Sequence, residues 1–103
     1  MTVSLLALYQ SPADPEAFME HYEKVHVPLV RATPKLQSID VHRVAKTVYG
    51  GEGIFLIARM TFADRASFDQ AMASAENKAA GKDLMSFAAG AVTLLVTDDT
   101  SDT

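Results

Sequence analysis

The segment IFLIARMTF, residues 54–62, constrains this chain most, because it is apolar at odd and even positions alike apart from Arg59 and Thr61. A strand turns alternate side chains to opposite faces of its sheet, so a strand that is apolar on both faces must be covered on both. The closing run AVTLLV makes the same demand. Any sheet that holds these two strands therefore needs a layer on each side.

Two helices are available to supply it. The first follows a strand, TVSLLALYQ, and the turn signal SPADP, with Asp14 at an N-cap position, Pro15 at the first helical position and Glu16 in the first turn. Phe18, Tyr22, Val25 and Leu29 then recur at helical spacing and form an apolar face. The second helix opens at ADRASFDQAMASA, with Asp64 as N-cap and Phe68, Ala71, Met72 and Ala75 as its buried stripe. Gly81 interrupts it, and KDLMSFAAG adds a further helical turn or two. Between the helices, LQSIDVHRVAKTVYG alternates as a partly polar strand and GGEG forms a turn.

The order is β-α-β-β-α-β, the split βαβ arrangement. The expected architecture is α+β and ferredoxin-like: a four-stranded antiparallel sheet with two main helices on one face. That leaves the second apolar face open, and an exposed patch of that size exceeds what a soluble monomer tolerates. A homodimer with the two sheets face to face is the simplest cover, with a ligand cavity between or beneath the sheets.

Composition narrows the partners. A chain of 103 residues makes one domain that buries roughly two-thirds of its unfolded surface, expected over residues 1–97, with an acidic frayed tail over 98–103. Net charge is −4, with nine Lys and Arg scattered among thirteen acids, which argues against nucleic acid and anionic membrane. The absence of cysteine excludes disulfides, thiol chemistry and cysteine zinc sites, and fits a reducing compartment. MTVSLLALYQ has no basic leader and its apolar run is far short of the roughly 20 residues a membrane helix needs, so a cytoplasmic protein is expected.

The candidate chemistry centres on FMEHYEKVHVPLV, residues 18–30. Pro28 cannot donate to the Lys24 carbonyl and disfavours helical geometry at Val27, so the helix is expected to end or kink beside His26. A histidine there feels the negative helix end, which favours its charged form, and burial, which favours the neutral one. The competition suits an acid-base group working near neutrality, while the alternative is a residue that caps the helix or packs under the next loop. His21 and His26, five apart, diverge by some 140° at about 100° per residue, so no shared metal site is expected on a regular helix, and His21 reads as a surface residue. His42 lies on a strand, and no acidic pattern completes a metal set.

Tyr22 and Tyr9 are either core residues or hydroxyl donors at the mouth of a cavity. Arg59 shares a strand face with Phe55, Ile57 and Thr61 and needs a partner, for which Asp40, Asp83, an anionic ligand or a salt bridge at the dimer interface are all open. Nucleophile, phosphate-loop and nucleotide motifs are absent from the sequence.

Asp14, Phe18, Tyr22, His26, Pro28 and Leu29, taken with the later KDLMSFAAG before the final strand, resemble the ethyl tert-butyl ether degradation (EthD) family of the dimeric α+β barrel superfamily, over the whole chain except its tail. The resemblance implies a small, cofactor-free homodimer that takes a small hydrophobic or aromatic molecule, with relatives among dehydratases, cyclases, isomerases and monooxygenases. It also puts Asp83 at a matching position, where the carboxylate either orients His26 or caps a helix beginning at Leu84.

The resulting assignment is His26, Tyr22 and Asp83 as candidate catalytic residues, with Tyr9, Phe55, Arg59 and Phe87 as ligand-binding candidates. The expected activity is lyase- or isomerase-type proton transfer without a cofactor. A non-catalytic accessory or ligand-binding protein of a degradation pathway and a cofactor-free, monooxygenase-like oxidoreductase are the alternatives.

Overall fold

A computed structural model describes residues 1–51 and 53–100. Its strands are β1 (Val3–Gln10), β2 (Leu36–Arg43), β3 (Ile54–Phe62) and β4 (Val92–Asp98). They form one antiparallel sheet in the order β2-β3-β1-β4, which is the ferredoxin-like arrangement. The two doubly apolar strands occupy different places: β3 is central and β4 lies at an edge.

The helices are α1 (Pro15–His21), a π-helical turn (Tyr22–His26) that leads directly into α2 (Val27–Arg31), then α3 (Arg65–Met72) and α4 (Ala75–Ala88). Asp14 and Asp64 cap α1 and α3 as expected, accepting from the Ala17 and Ser67 amides. The second helical region divides elsewhere than expected. α3 stops at Met72, Ser74 caps a new helix by accepting from the Asn77 amide, and α4 runs unbroken through Gly81, while Ala75 is exposed. A serine with two short local hydrogen bonds, one to the Ala71 carbonyl, outweighs a glycine that keeps helical dihedrals.

All helices cover one face. Val3, Ala7 and Tyr9 of β1 pack there with Leu56, Ala58, Met60 and Phe62 of β3, and every one of these is buried. Phe62 meets Phe68 of α3 edge-on, and Tyr9 meets Phe18 and Tyr22 edge-on at 5.5 Å. The opposite face carries Leu6, Leu8 and Ile57, each half-buried, and Leu95, which is 46% exposed.

That open face also carries a polar cluster. Arg59 pairs with Asp99 at 3.3 Å, and Asp99 accepts from Thr2, Ser4 and Thr97. Arg59 thus pairs with neither Asp40 nor Asp83, but with Asp99, an acid not foreseen from sequence. Asp98 and Asp99, expected in a frayed tail, are instead held: Asp98 ends β4 and Asp99 accepts these bonds. Residues 101–103 of that tail, and Glu52 of the expected GGEG turn, lie outside the described residues.

Candidate active site

Pro28 has no N–H for the Lys24 carbonyl and its ring crowds that carbonyl, so an ordinary α register fails in this turn. The backbone widens instead. Across Tyr22–His26 the helix adopts the π form, with the Val27 N–H donating to the Tyr22 carbonyl, five residues back. Pro28 then falls in the first turn of α2, where a missing N–H is tolerated. The helix therefore does not end beside His26; it runs on to Arg31.

A turn closed at five residues stacks positions five apart, as an α turn stacks those four apart. His21 and His26 consequently reach the same carboxylate, which corrects the diverging arrangement that a regular helix predicts. His26 Nδ1 lies 3.0 Å from Asp83 Oδ2, and His21 Nε2 lies 2.9 Å from Asp83 Oδ1. A carboxylate can only accept, so both imidazoles donate. Asp83 sits in the interior of α4, which removes its alternative role as an N-cap.

Three side chains thus run from core to surface. His26 is 6% exposed at its side chain, Asp83 13% and His21 35%. Burial pushes the His26 pKa below its usual value, and His21 pushes the same way, while the bond and charge of Asp83 oppose them. His26 is therefore a neutral imidazole at pH 7, with its proton on Nδ1. Its Nε2 has no protein partner and retains solvent-accessible surface, because among the described residues no buried side-chain polar atom lacks a partner.

His26 lines a cavity of about 180 Å³ between the helices and the sheet. Its wall is largely aliphatic, with Tyr9, Tyr22, His26, Thr33 and Asn77 as polar members and no formally charged side chain. Tyr9 and Tyr22 are almost fully buried and line the cavity beside His26. Burial raises both phenols, Tyr22 to about 12 and Tyr9 well above the ordinary range, so both remain protonated donors.

The other candidates sit apart from this cavity. Phe87 packs outside its wall, 4.6 Å from the His21 ring and 5.2 Å from His26, and so fixes both imidazoles. Phe55, at the register shift opposite Tyr9 and Gln10, packs edge-on against Phe18 beneath the Arg43 guanidinium. Arg59 projects from the opposite sheet face. His21 is the member of the site that spacing on a regular helix fails to find; the available signal was a proline two residues after the second of two histidines five apart. Among the described residues, no three His, Cys, Asp or Glu side chains are arranged to hold a metal ion.

A ferredoxin-like α+β domain with a histidine-carboxylate pair set against an uncharged cavity defines the class. The EthD domain model matches residues 10–91, and the chain belongs to the EthD family. It is 37% identical over 92 residues, 89% of each chain, to a Rhodococcus erythropolis protein described as an uncharacterized 11.0 kDa protein in the thcB-thcC intergenic region. Among solved structures it resembles an EthD family protein from Bacillus halodurans, at 40% identity and a TM-score of 0.91 over 97% of this chain and all of that one. The hydroxynitrile lyase of Passiflora edulis shares the fold alone, at 11% identity and a TM-score of 0.79, over 97% of this chain and 94% of that one.

Proposed function

We propose that this protein is a cofactor-independent enzyme of lyase or isomerase type that moves a proton on a small, neutral, aromatic or hydrophobic carbonyl compound, with His26 as the base. The observation that carries the reading is His26 itself: Nδ1 engaged by Asp83, Nε2 unpartnered, and the ring lining an otherwise uncharged cavity. An engineered apolar cavity of about 150 Å³ takes benzene. A cavity of about 180 Å³ suits one ring with a short substituent.

A substrate C–H adjacent to a carbonyl gives its proton to Nε2, and the electron pair moves onto the carbonyl oxygen. Asp83 stabilises the imidazolium that forms, and the Tyr9 or Tyr22 hydroxyl donates to the oxygen as charge develops there. Return of the proton to another position gives isomerisation, and its delivery to a departing hydroxyl gives dehydration. The cavity wall carries no cation to receive a carboxylate, so neutral substrates are preferred. A lyase is also the named activity of the Passiflora chain that shares this fold. The same reading includes a homodimer that covers the open sheet face.

Exchange of the acetophenone methyl protons in D₂O tests the reading without the natural substrate. The wild-type chain is expected to accelerate exchange, and His26→Ala to reduce the acceleration at least about 100-fold. Equal exchange by the two proteins overturns the assignment, and saturable acetophenone binding without exchange favours a carrier.

A further inference from the structure

We infer that His21 is a positioning residue that shares Asp83 with His26 and thereby keeps the His26 imidazole neutral and aimed at the cavity. The inference rests on the reading of His26 as the base. Each carboxylate oxygen has its own imidazole, Oδ2 for His26 and Oδ1 for His21. The second bond does two things. It fixes the rotation of the carboxylate, and it withdraws negative charge that would otherwise hold a proton on His26.

The location of His21 allows this. Its side chain is 35% exposed, so it exchanges protons with water while His26 does not touch bulk solvent freely. Its ring lies against Phe87, which also touches the His26 ring, so one side chain braces both imidazoles. The titratable groups facing His26 are Asp83 from α4, Tyr9 from β1, and His21 and Tyr22 from its own helical stretch. The phenols are protonated throughout the neutral range, so burial lowers the His26 pKa most, and Asp83 and His21 are the titratable neighbours that modulate it. The π turn is what makes the sharing possible, because only there do residues five apart meet one carboxylate.

The two effects of removing His21 have the same sign. Without its charge, His26 loses a repulsive neighbour, and without its N–H, Asp83 becomes a stronger acceptor for His26. Both changes raise the His26 pKa.

The test is a pH titration of the His26 ring nitrogens by long-range ¹H–¹⁵N NMR on the full chain, comparing wild type with His21→Phe, which keeps a ring against Phe87. An upward shift of at least about half a pH unit is expected. No shift, or a downward one, overturns the inference. If His21→Phe fails to fold, His21→Gln, which retains an N–H donor but no charge, serves in its place. The wild-type curve then supplies the comparison, because His26 should report two inflections there and a single one in the variant. Independent one-step curves in wild type count against sharing. Acetophenone added to each protein separates the sharing of Asp83 from the role of His26 as base: perturbation of His26 Nε2 supports its place at the ligand, whereas an unperturbed Nε2 removes the base assignment even if the two histidines are coupled.

Discussion

A histidine that loses its water but keeps a carboxylate is pulled two ways, and in His26 the loss of water prevails. The sign of the pH dependence follows. Between the lowered folded pKa and the ordinary 6.5, the unfolded chain binds a proton that the folded chain does not, so His26's contribution is complete above pH 6.5 and is lost as pH falls below it. Thermal melts should therefore show a lower Tm at pH 5.5 than at pH 7.5, and His26→Gln should flatten that difference. Asp83→Asn replaces two acceptor oxygens with one, leaving two imidazole N–H groups to compete for it. A stability loss of about 1–3 kcal/mol is expected by denaturant titration. Acetophenone exchange should slow by about 100-fold or more, read by NMR. His26, Tyr22 and Asp83 could be proposed from the sequence because an apolar stripe, a proline and the family resemblance mark them, and the fold brings His26 together with Asp83, Tyr22 and Tyr9. His21 could not be proposed, because the angular rule that excluded it holds only where the backbone stays in α register.

Helix boundaries show the same limit at the scale of elements. Strand order and helix starts were readable, since alternation and N-caps are local signals. The division between α3 and α4 was not, because Gly81 looks like a breaker in sequence while its backbone is helical and the space around it is open. Two substitutions test that account by denaturant or thermal unfolding. Gly81→Ala, whose added methyl meets nothing within 4 Å, should stabilise the chain by about 0.5–1 kcal/mol. Ser74→Ala removes the acceptor for the Asn77 amide and should cost about 1 kcal/mol. The reverse order of stabilities would return the helix break to Gly81.

At the scale of the whole molecule, two sheet faces with one helical layer leave Leu6, Leu8 and Ile57 half-buried and Leu95 exposed among the described residues. A dimer is expected by light scattering at micromolar concentration, and Ile57→Asp, on the open face and away from the cavity, should yield a monomer that still binds acetophenone. The cavity lies beneath the helices within one chain, so the proposed dimer and the proposed chemistry would use opposite faces of the same sheet. What joins them into one account is the protonation state of His26, and long-range ¹H–¹⁵N NMR of the wild-type chain reads it directly. The account predicts, at pH 7, a proton on Nδ1, an unprotonated Nε2, and titration below pH 6.5. A proton resident on Nε2, or an imidazolium persisting at pH 7, would contradict it.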